Sequence, residues 1–462
     1  MKVVNVVLCI GFLLSGNAAA APSGWDMKAG VSASESYNDN INLVSTGAKT
    51  DDYITQINPY LSINRKTRRL NLQADYRMQN LIYANEDQNN TTFHQLSGNG
   101  EMNFVKDIFY IKGAANYSQQ NIDQAATTSF NNVSVTNNRT NVAAININPY
   151  LKFRLGNTSD LKLSVDKGIV KYSGSLNDSD RDLYQANLTS GKAFNRLGWS
   201  LNASRQKINT DNQTDIIIQS YQADVQYKLT KKVSITAGVG ADDNQYTRAI
   251  STENPDSETY TLGMNWNITP RTKINFGGVS HYFGDSFFLD INNKSRRTDL
   301  SVKYKEDVTA LTATQFDQNE NNINFNNDVS KASISNDAFV RKHFSGNFSL
   351  KSAKSVLKLS IFNEKRIYQT DDTSERIYGG AGSLDWKFGK RTSLLLSGAG
   401  QITNRRGSSI KDGLLQVSAE VKRQLRKKLS GSIGITHARR DTSINSQDYR
   451  QNMANISINW QL

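Results

Sequence analysis

Cysteine is almost missing from this sequence: of 462 residues only Cys9 carries a thiol. No disulfide framework, Cys-based metal site or paired thiol chemistry can be built from it. Histidine is nearly as scarce, at His94, His281, His343 and His437. A lipase or protease would need one of them beside a nucleophile or a carboxylate. His281 is followed closely by Asp285 and Ser286, but such neighbours are common at strand ends. No glycine-rich phosphate cradle follows a strand. "DQNENNINF" (Asp317 to Phe325) has the spaced acidic and amide residues of a calcium loop. It lacks the glycine at the sixth position and the glutamate at the twelfth, and reads as a solvated loop. The expectation is therefore no enzyme, no metal and no cofactor.

Long apolar runs are missing too. After the first residues no stretch approaches the ~18 consecutive apolar residues of a membrane helix. The N-terminus has a positive Lys2, an apolar run from Val3 to Leu14 and the small residues Ala18-Ala19-Ala20. This is the layout of a secretory signal peptide, residues 1–20, cleaved after Ala20. Cys9 falls inside its apolar region, too early for a lipoprotein site and preceded by the bulky Leu8. Export without a membrane helix leaves a soluble exported protein or a membrane-spanning barrel of strands, here residues 21–462.

What is abundant is alternation. Leu70, Leu72, Ala74, Tyr76 and Met78 interleave with Asn71, Gln73, Asp75 and Arg77. The same two-residue period runs through Tyr221–Leu229, Val233–Val239, Tyr260–Ile268, Leu415–Val421 and Leu429–Ile435. It marks strands with one apolar and one polar face. A mean hydropathy of −0.56 suits a barrel whose alternate residues face a wet lumen. The last residues, "NMANISINWQL", alternate to the end, which predicts a strand that closes the barrel against the first one, around Trp25 to Ala33. Ile456, Ile458, Trp460 and Leu462 form an apolar row of the kind read by the outer-membrane assembly machinery.

Connections come in two kinds. Short turns, most of them basic ("NRKTRRL", "VKDI", "LGNTSDL", "LTKKV", "ITPRTK", "FGKRT" and "LRKKL"), alternate with longer stretches rich in Asn, Asp, Ser and Thr. The longer ones are expected at Gln119–Arg139, Asn209–Asp215, Thr252–Glu258, Asp285–Arg297, Asn319–Ser330 and Thr370–Glu375. Short periplasmic turns and long extracellular loops are the wiring of outer-membrane barrels. Counting hairpins predicts a transmembrane antiparallel outer-membrane β-barrel of about 22 strands (18–22). "INPYL" occurs at Ile57–Leu61 and at Ile147–Leu151. Each proline lacks a ladder donor and predicts a β-bulge. Trp199, Trp266, Trp386 and Trp460 fit interfacial girdles.

The formal net charge is +13, unusual for a chain with no nucleic-acid role at this location. Parity places Lys112, Lys152, Arg154, Lys162, Lys228, Lys358, Arg366 and Lys422 on the lumen side, partly balanced by Asp75, Glu101, Asp166, Asp224, Asp385 and Glu420. Basic turns sit well against anionic headgroups, and a basic mouth also draws in an anionic polymer.

"SESYNDNINL" (Ser34–Leu43) and "SQDYRQNMANISINWQL" (Ser446–Leu462) resemble the opening and closing segments of the PEP-CTERM/exosortase-system-associated outer-membrane proteins, a group overlapping beta-barrel porin 2. Members usually end in Phe, where this chain has Leu462. The resemblance implies a barrel serving exopolysaccharide export, with outer-membrane lipid, the assembly machinery, a polysaccharide and periplasmic export components as partners. It supplies no functional residues. The strand pattern starts within a few residues of Ala21, leaving no space for a globular plug domain. An unplugged barrel this wide would leak, so a loop is expected to fold inward: Gln119–Arg139 first, Asp285–Arg297 second. The alternatives are a general diffusion porin and an adhesive barrel whose loops bind a partner.

Overall fold

The computed structural model of the chain describes residues 24–45, 47, 49–123, 126–174, 176–248, 255–316, 337–443 and 447–462. The signal peptide and the calcium-like stretch Asp317–Phe325 lie outside the described residues, as do the whole of the loop expected at Asn319–Ser330 and part of the one expected at Thr252–Glu258.

Strands follow one another as β1 (Trp25–Asn38), β2 (Asp52–Lys66), β3 (Leu70–Tyr83), β4 (Thr91–Val105), β5 (Phe109–Asn121), β6 (Arg139–Leu155), β7 (Ser159–Tyr172) and β8 (Ser179–Ser190). They continue through β9 (Leu197–Thr210), β10 (Ile216–Lys228), β11 (Val233–Asp242), β12 (Ser257–Thr269), β13 (Thr272–His281), β14 (Gly284–Lys294) and β15 (Thr298–Ala310). After a short helix α1 (Leu311–Phe316) come β16 (Ala338–Lys351), β17 (Ser355–Tyr368), β18 (Ser374–Trp386), β19 (Thr392–Asn404), β20 (Lys411–Arg426), β21 (Leu429–Thr442) and β22 (Tyr449–Gln461). Each pairs antiparallel with the next, and β1 pairs with β22, so the 22-stranded sheet is closed. Closure leaves no unpaired edge. Among the described residues no helix is long and apolar enough to cross a membrane.

The alternation of the sequence becomes two surfaces. Ile433, Ile435, Ile456, Ile458 and Trp460 are paired in register on one face and are all more than half exposed. That face points outward, where only lipid makes a continuous apolar girdle favourable. The barrel is thus of the outer-membrane type. Trp199, Trp266, Trp386 and Trp460 stand on the outer face beside the short-turn ends of β9, β12, β18 and β22, with Trp25 at the start of β1, so all five form one girdle on the side assigned to the periplasm.

Three sequence expectations change. The closing strand pairs with Gly30–Asn38, higher on β1 than the Trp25–Ala33 stretch. Neither proline makes a bulge. Pro59 opposes Val31 and Pro149 opposes Ile111 in unbroken register, and on the other side the ladder skips two residues and resumes in the same register. Side-chain amides reach across these gaps: Asn80 Nδ2 donates to Ile57 O at 2.5 Å and Asn148 Nδ2 to Val165 O at 3.1 Å. The register shifts that do occur lie at Asn103/Val105, Asn267/Thr269 and Gln424/Arg426, beside short turns. Finally, Asp285–Arg297 is no loop. It is β14 plus a short turn, and the extracellular connection there is Tyr282–Phe283, a tight turn whose flanking His281 and Gly284 pair.

Candidate functional site

The inner face divides into an open half near the short turns and a filled half near the long loops. The described part of loop 122–138, residues 122–123 and 126–138, folds into the barrel, as the sequence led one to expect of Gln119–Arg139. Inward-facing strand residues hold it on opposite flanks. On one side Tyr83 OH donates to Val133 O (2.6 Å) and Gln79 Oε1 accepts from Asn132 Nδ2 (3.0 Å). On the other, Tyr449 OH donates to Thr128 O (2.9 Å), Gln451 Nε2 to Ser134 Oγ (2.9 Å) and Arg440 Nη1 to Ala126 O (2.7 Å). Arg139, at the foot of the loop, donates back to Asn131 O, Asn132 O and Ser134 O. Apolar residues complete the seat. Phe130 packs with Leu43, Leu414, Ala438 and Tyr449, and Val133 with Ile41, Ile54, Leu81 and Tyr83. Buried backbone carbonyls of a loop must find donors, and here the barrel wall supplies them.

α1 fills the neighbouring sector. Phe316 covers Gly168 so closely that a Cβ there would lie 2.6 Å from its ring, and the Arg181 guanidinium sits 4.6 Å from the ring centre. Thr312 and Ser179 share a hydrogen bond of 2.8 Å. Gln315 meets Gln120 of β5, so the two inserts touch the same strand. A third cluster joins Tyr246, Ile208 and Ile216 to Ala310, Ala313 and Ala338.

Behind the inserts, the wall of β15–β18 contains a chain of buried charges. Asp307 accepts from Arg341 Nε (3.0 Å) and Nη2 (3.1 Å); His343 Nδ1 lies 3.0 Å from Glu364. Arg366 donates to Glu364 (2.6 Å) and Glu375 (3.0 Å). In the loops above, Arg406 lies 3.8 Å over the Tyr368 ring and pairs with Asp337 and Asp371. Burial opposes the Asp371 carboxylate, but hydrogen bonds from Thr373 and the Arg406 charge hold its pKa below the usual value. Buried charges persist only when paired in this way.

The eight predicted basic residues all lie on the inner parity, but they do not form one group. Lys112, Lys152, Arg154, Lys162, Lys228, Lys358 and Lys422 each stand within four residues of a short-turn end, spread around the periplasmic mouth. Arg366 is the exception. It sits near the opposite end of β17, its side chain 3% exposed and bonded to two glutamates. It therefore braces the wall and is not open to a solute. Of the rest, Arg154 is paired with Asp160 at 3.1 Å, and Lys112 lies opposite Glu101 in register.

Lys152 and Lys162 belong to a structure that charge and parity did not reveal. Tyr110 and Tyr150, opposite each other on β5 and β6, stack with ring centres 4.8 Å apart and planes within 4°. Lys152 Nζ lies 4.8 Å from the Tyr110 ring centre and 5.1 Å from that of Tyr150, and Lys162 Nζ is 5.1 Å from Tyr150. A cation over an aromatic face is attracted by the ring quadrupole. The result is a rigid aromatic plate edged with ammonium groups on the lumen wall. Elsewhere the wall is mixed: Asp224 accepts from Ser200 and Gln222, and Asp75 from Ser62. His281 is bonded to Asp242 at 2.8 Å, while Ser286 donates to Val279 O, so those two do not meet. His437 is bonded to Asn452 on the outer face.

No family model matches the chain, and no curated protein does. Solved structures similar to it include the siderophore receptor PirA from Pseudomonas aeruginosa, at 10% identity over 94% of this chain and 80% of that one, with a TM-score of 0.45. The FrpB iron transporter from Neisseria meningitidis aligns at 9% identity over 95% and 83%, TM-score 0.46. OccAB3 from Acinetobacter baumannii aligns at 9% over 95% and 99%, TM-score 0.34. These likenesses are remote.

Proposed function

We propose that this barrel is a gated conduit of the outer membrane that passes an exopolysaccharide from the periplasm outward. The observation that carries the reading is the Tyr110–Tyr150 plate with Lys152 and Lys162, set in the open half of the lumen below a mouth filled by the chain's own loops. The C–H faces of sugar rings stack on aromatic faces, and nearby ammonium groups attract hydroxyls or acidic substituents. A transported polymer needs contacts of this weak, repeatable kind, because tight binding would stop it leaving. The basic residues around the periplasmic mouth raise the local concentration of an acidic chain. The filled extracellular half prevents leakage when no polymer is present.

The test is deletion of the gene followed by measurement of surface and periplasmic polysaccharide. Loss outside with accumulation inside, rescued by the intact chain and poorly by a Tyr110→Ala/Tyr150→Ala variant, is the expected result. Unchanged surface polymer overturns the export reading. In that case free permeation of small neutral sugars into proteoliposomes supports the diffusion porin instead, a reading consistent with the mixed-sign lumen wall.

A further inference from the structure

The outer face of β15–β18 changes character along the strands. Towards the short turns Leu300, Phe348 and Leu359 lie in one cross-strand row, with Val302 and Ile361 in the row above. Next comes an aromatic row, Tyr304, Phe344 and Tyr378, carried across β17 by Asn363. Directly beyond it stand Glu306, Lys342, Lys365 and Arg376, one on each strand and paired in register.

The level of that charged row follows from β18. Arg376 stands ten residues up the strand from Trp386, a member of the periplasmic girdle. With a rise of about 3.3 Å per residue and a tilt of about 40°, the separation across the membrane is roughly 25 Å. The apolar band of an outer-membrane barrel is about 25 Å tall and is edged by aromatic girdles on both sides. The aromatic row is therefore the upper girdle, and the charged row lies among the headgroups of the outer leaflet. Outward-parity residues farther up do not contradict this. Ala310, Ala338 and Val340 are 0%, 2% and 3% exposed. The ends of β15 and β16 bend over the lumen, where Ala310 and Ala338 pack with Ile208 and Ile216 of β9 and β10. Ile367, beside Val340, is half-buried.

The row is not neutral. Lys342 is taken by Glu306 at 2.8 Å, and Glu306 also accepts from Tyr304 OH at 2.6 Å. Lys365 and Arg376 are exposed and directly opposite each other. Lys365 has no hydrogen-bond or ion-pair partner among the described residues. Arg376 is held by its Nε, which donates to Asn363 Oδ1 at 3.0 Å, and by the Tyr378 ring at 5.7 Å. Its two Nη groups have no partner among the described residues. Like charges directly opposite on a sheet repel, so an anion between these two side chains removes a cost as well as gaining bonds. An oriented guanidinium beside an ammonium group offers a donor set that matches a phosphate.

We propose that Lys365 and Arg376 bind a phosphate of an outer-leaflet glycolipid, whose acyl chains run down over Ile361 and Leu359. The occupant is a lipid because the charged pair borders a lipid-facing wall, on which Ile361 and Leu359 are 56% and 45% exposed. It is an anionic one because the two unneutralised charges at its head are both positive. It belongs to the outer leaflet because the pair stands at the far edge of the apolar band from the Trp386 girdle. The seat is independent of what passes through the lumen.

The test is native mass spectrometry of the full folded chain in detergent, given a hexa-acylated glucosamine-disaccharide lipid with or without its two phosphates. The intact protein is expected to retain the phosphorylated lipid, and the dephosphorylated one roughly tenfold less, the worth of one or two charge-assisted hydrogen bonds. Lys365→Gln/Arg376→Gln should lower retention of the phosphorylated form to the dephosphorylated level. Lys354→Gln/Lys387→Gln removes the same charge at the short-turn ends of β17 and β18 and should leave retention unchanged. Heat-modifiable gel mobility confirms that each variant is folded. Equal retention of the two lipids by the intact chain overturns the proposal. So does equal retention by the intact chain and Lys365→Gln/Arg376→Gln, or the same loss in the short-turn variant.

Discussion

Replacing Tyr83 and Tyr449 by phenylalanine removes two hydroxyls and almost nothing else. Each hydroxyl donates to a carbonyl of loop 122–138, at Val133 and Thr128, and the two attach different flanks of the loop. Both tyrosines are buried, 3% and 2% exposed, so each change leaves a carbonyl without its donor while the loop is in place. Water satisfies that carbonyl once the loop swings out. The difference disfavours the inserted state by about 1–2 kcal/mol per hydroxyl. Each single variant should therefore shift the inserted-to-released ratio by roughly 5- to 30-fold, RT being about 0.6 kcal/mol, and the two effects should add because the sites share no partner. Single-channel recording in planar bilayers reads this as the fraction of time in a high-conductance state. The intact chain should be mostly closed, each single variant should flicker, and the double variant should be open far more often. The far-ultraviolet spectrum should not change. A double variant as quiet as the intact chain would refute the assignment of loop 122–138 as the gate.

Three further outcomes follow from the same structure. Ile435, outward and near mid-height on β21, is 63% exposed to the lipid side; Ile435→Lys should destabilise the folded barrel by about 2–4 kcal/mol, read by urea titration in lipid vesicles. Gly168→Leu drives a side chain into the Phe316 ring and should cost about 1–3 kcal/mol through overpacking, with faster proteolysis beside α1; unchanged cleavage would place α1 elsewhere. The Asp371–Arg406 clip has a definite pH sign. Because the folded Asp371 pKa lies below its ordinary 3.8, its contribution is complete above about pH 4–5 and is lost as pH falls through the lowered value. Hydrogen-exchange protection in loops 369–373 and 405–410, taken relative to the intrinsic amide rate at each pH, should be alike at pH 7 and pH 5 and lower near pH 3.

Two-residue alternation specified the faces. From Leu70 to Met78, or Leu429 to Ile435, apolar side chains recur at the period of a strand and can only gather on one side. That made a lipid-facing barrel readable without coordinates, as did the Asn-rich stretch destined to fold inward. The Asp285–Arg297 stretch misled for an equally local reason. Its turn, Tyr282–Phe283, is aromatic and looks like strand, while the polar Asn292–Lys294 end of β14 looks like loop.

What sequence alone could not supply is register, because alternation survives any shift by two residues. Register decides that Arg341 opposes Asp307 and Glu364 opposes His343, turning scattered charges into one buried chain and withdrawing Arg366 from the lumen. It also stacks Tyr110 on Tyr150 and sets Lys365 opposite Arg376. The chain's own pattern determined that there would be an outer, lipid-facing surface and an inner, polar one. Only closure of the sheet decided which residues meet across it, because those contacts join strands whose pairing no local period encodes.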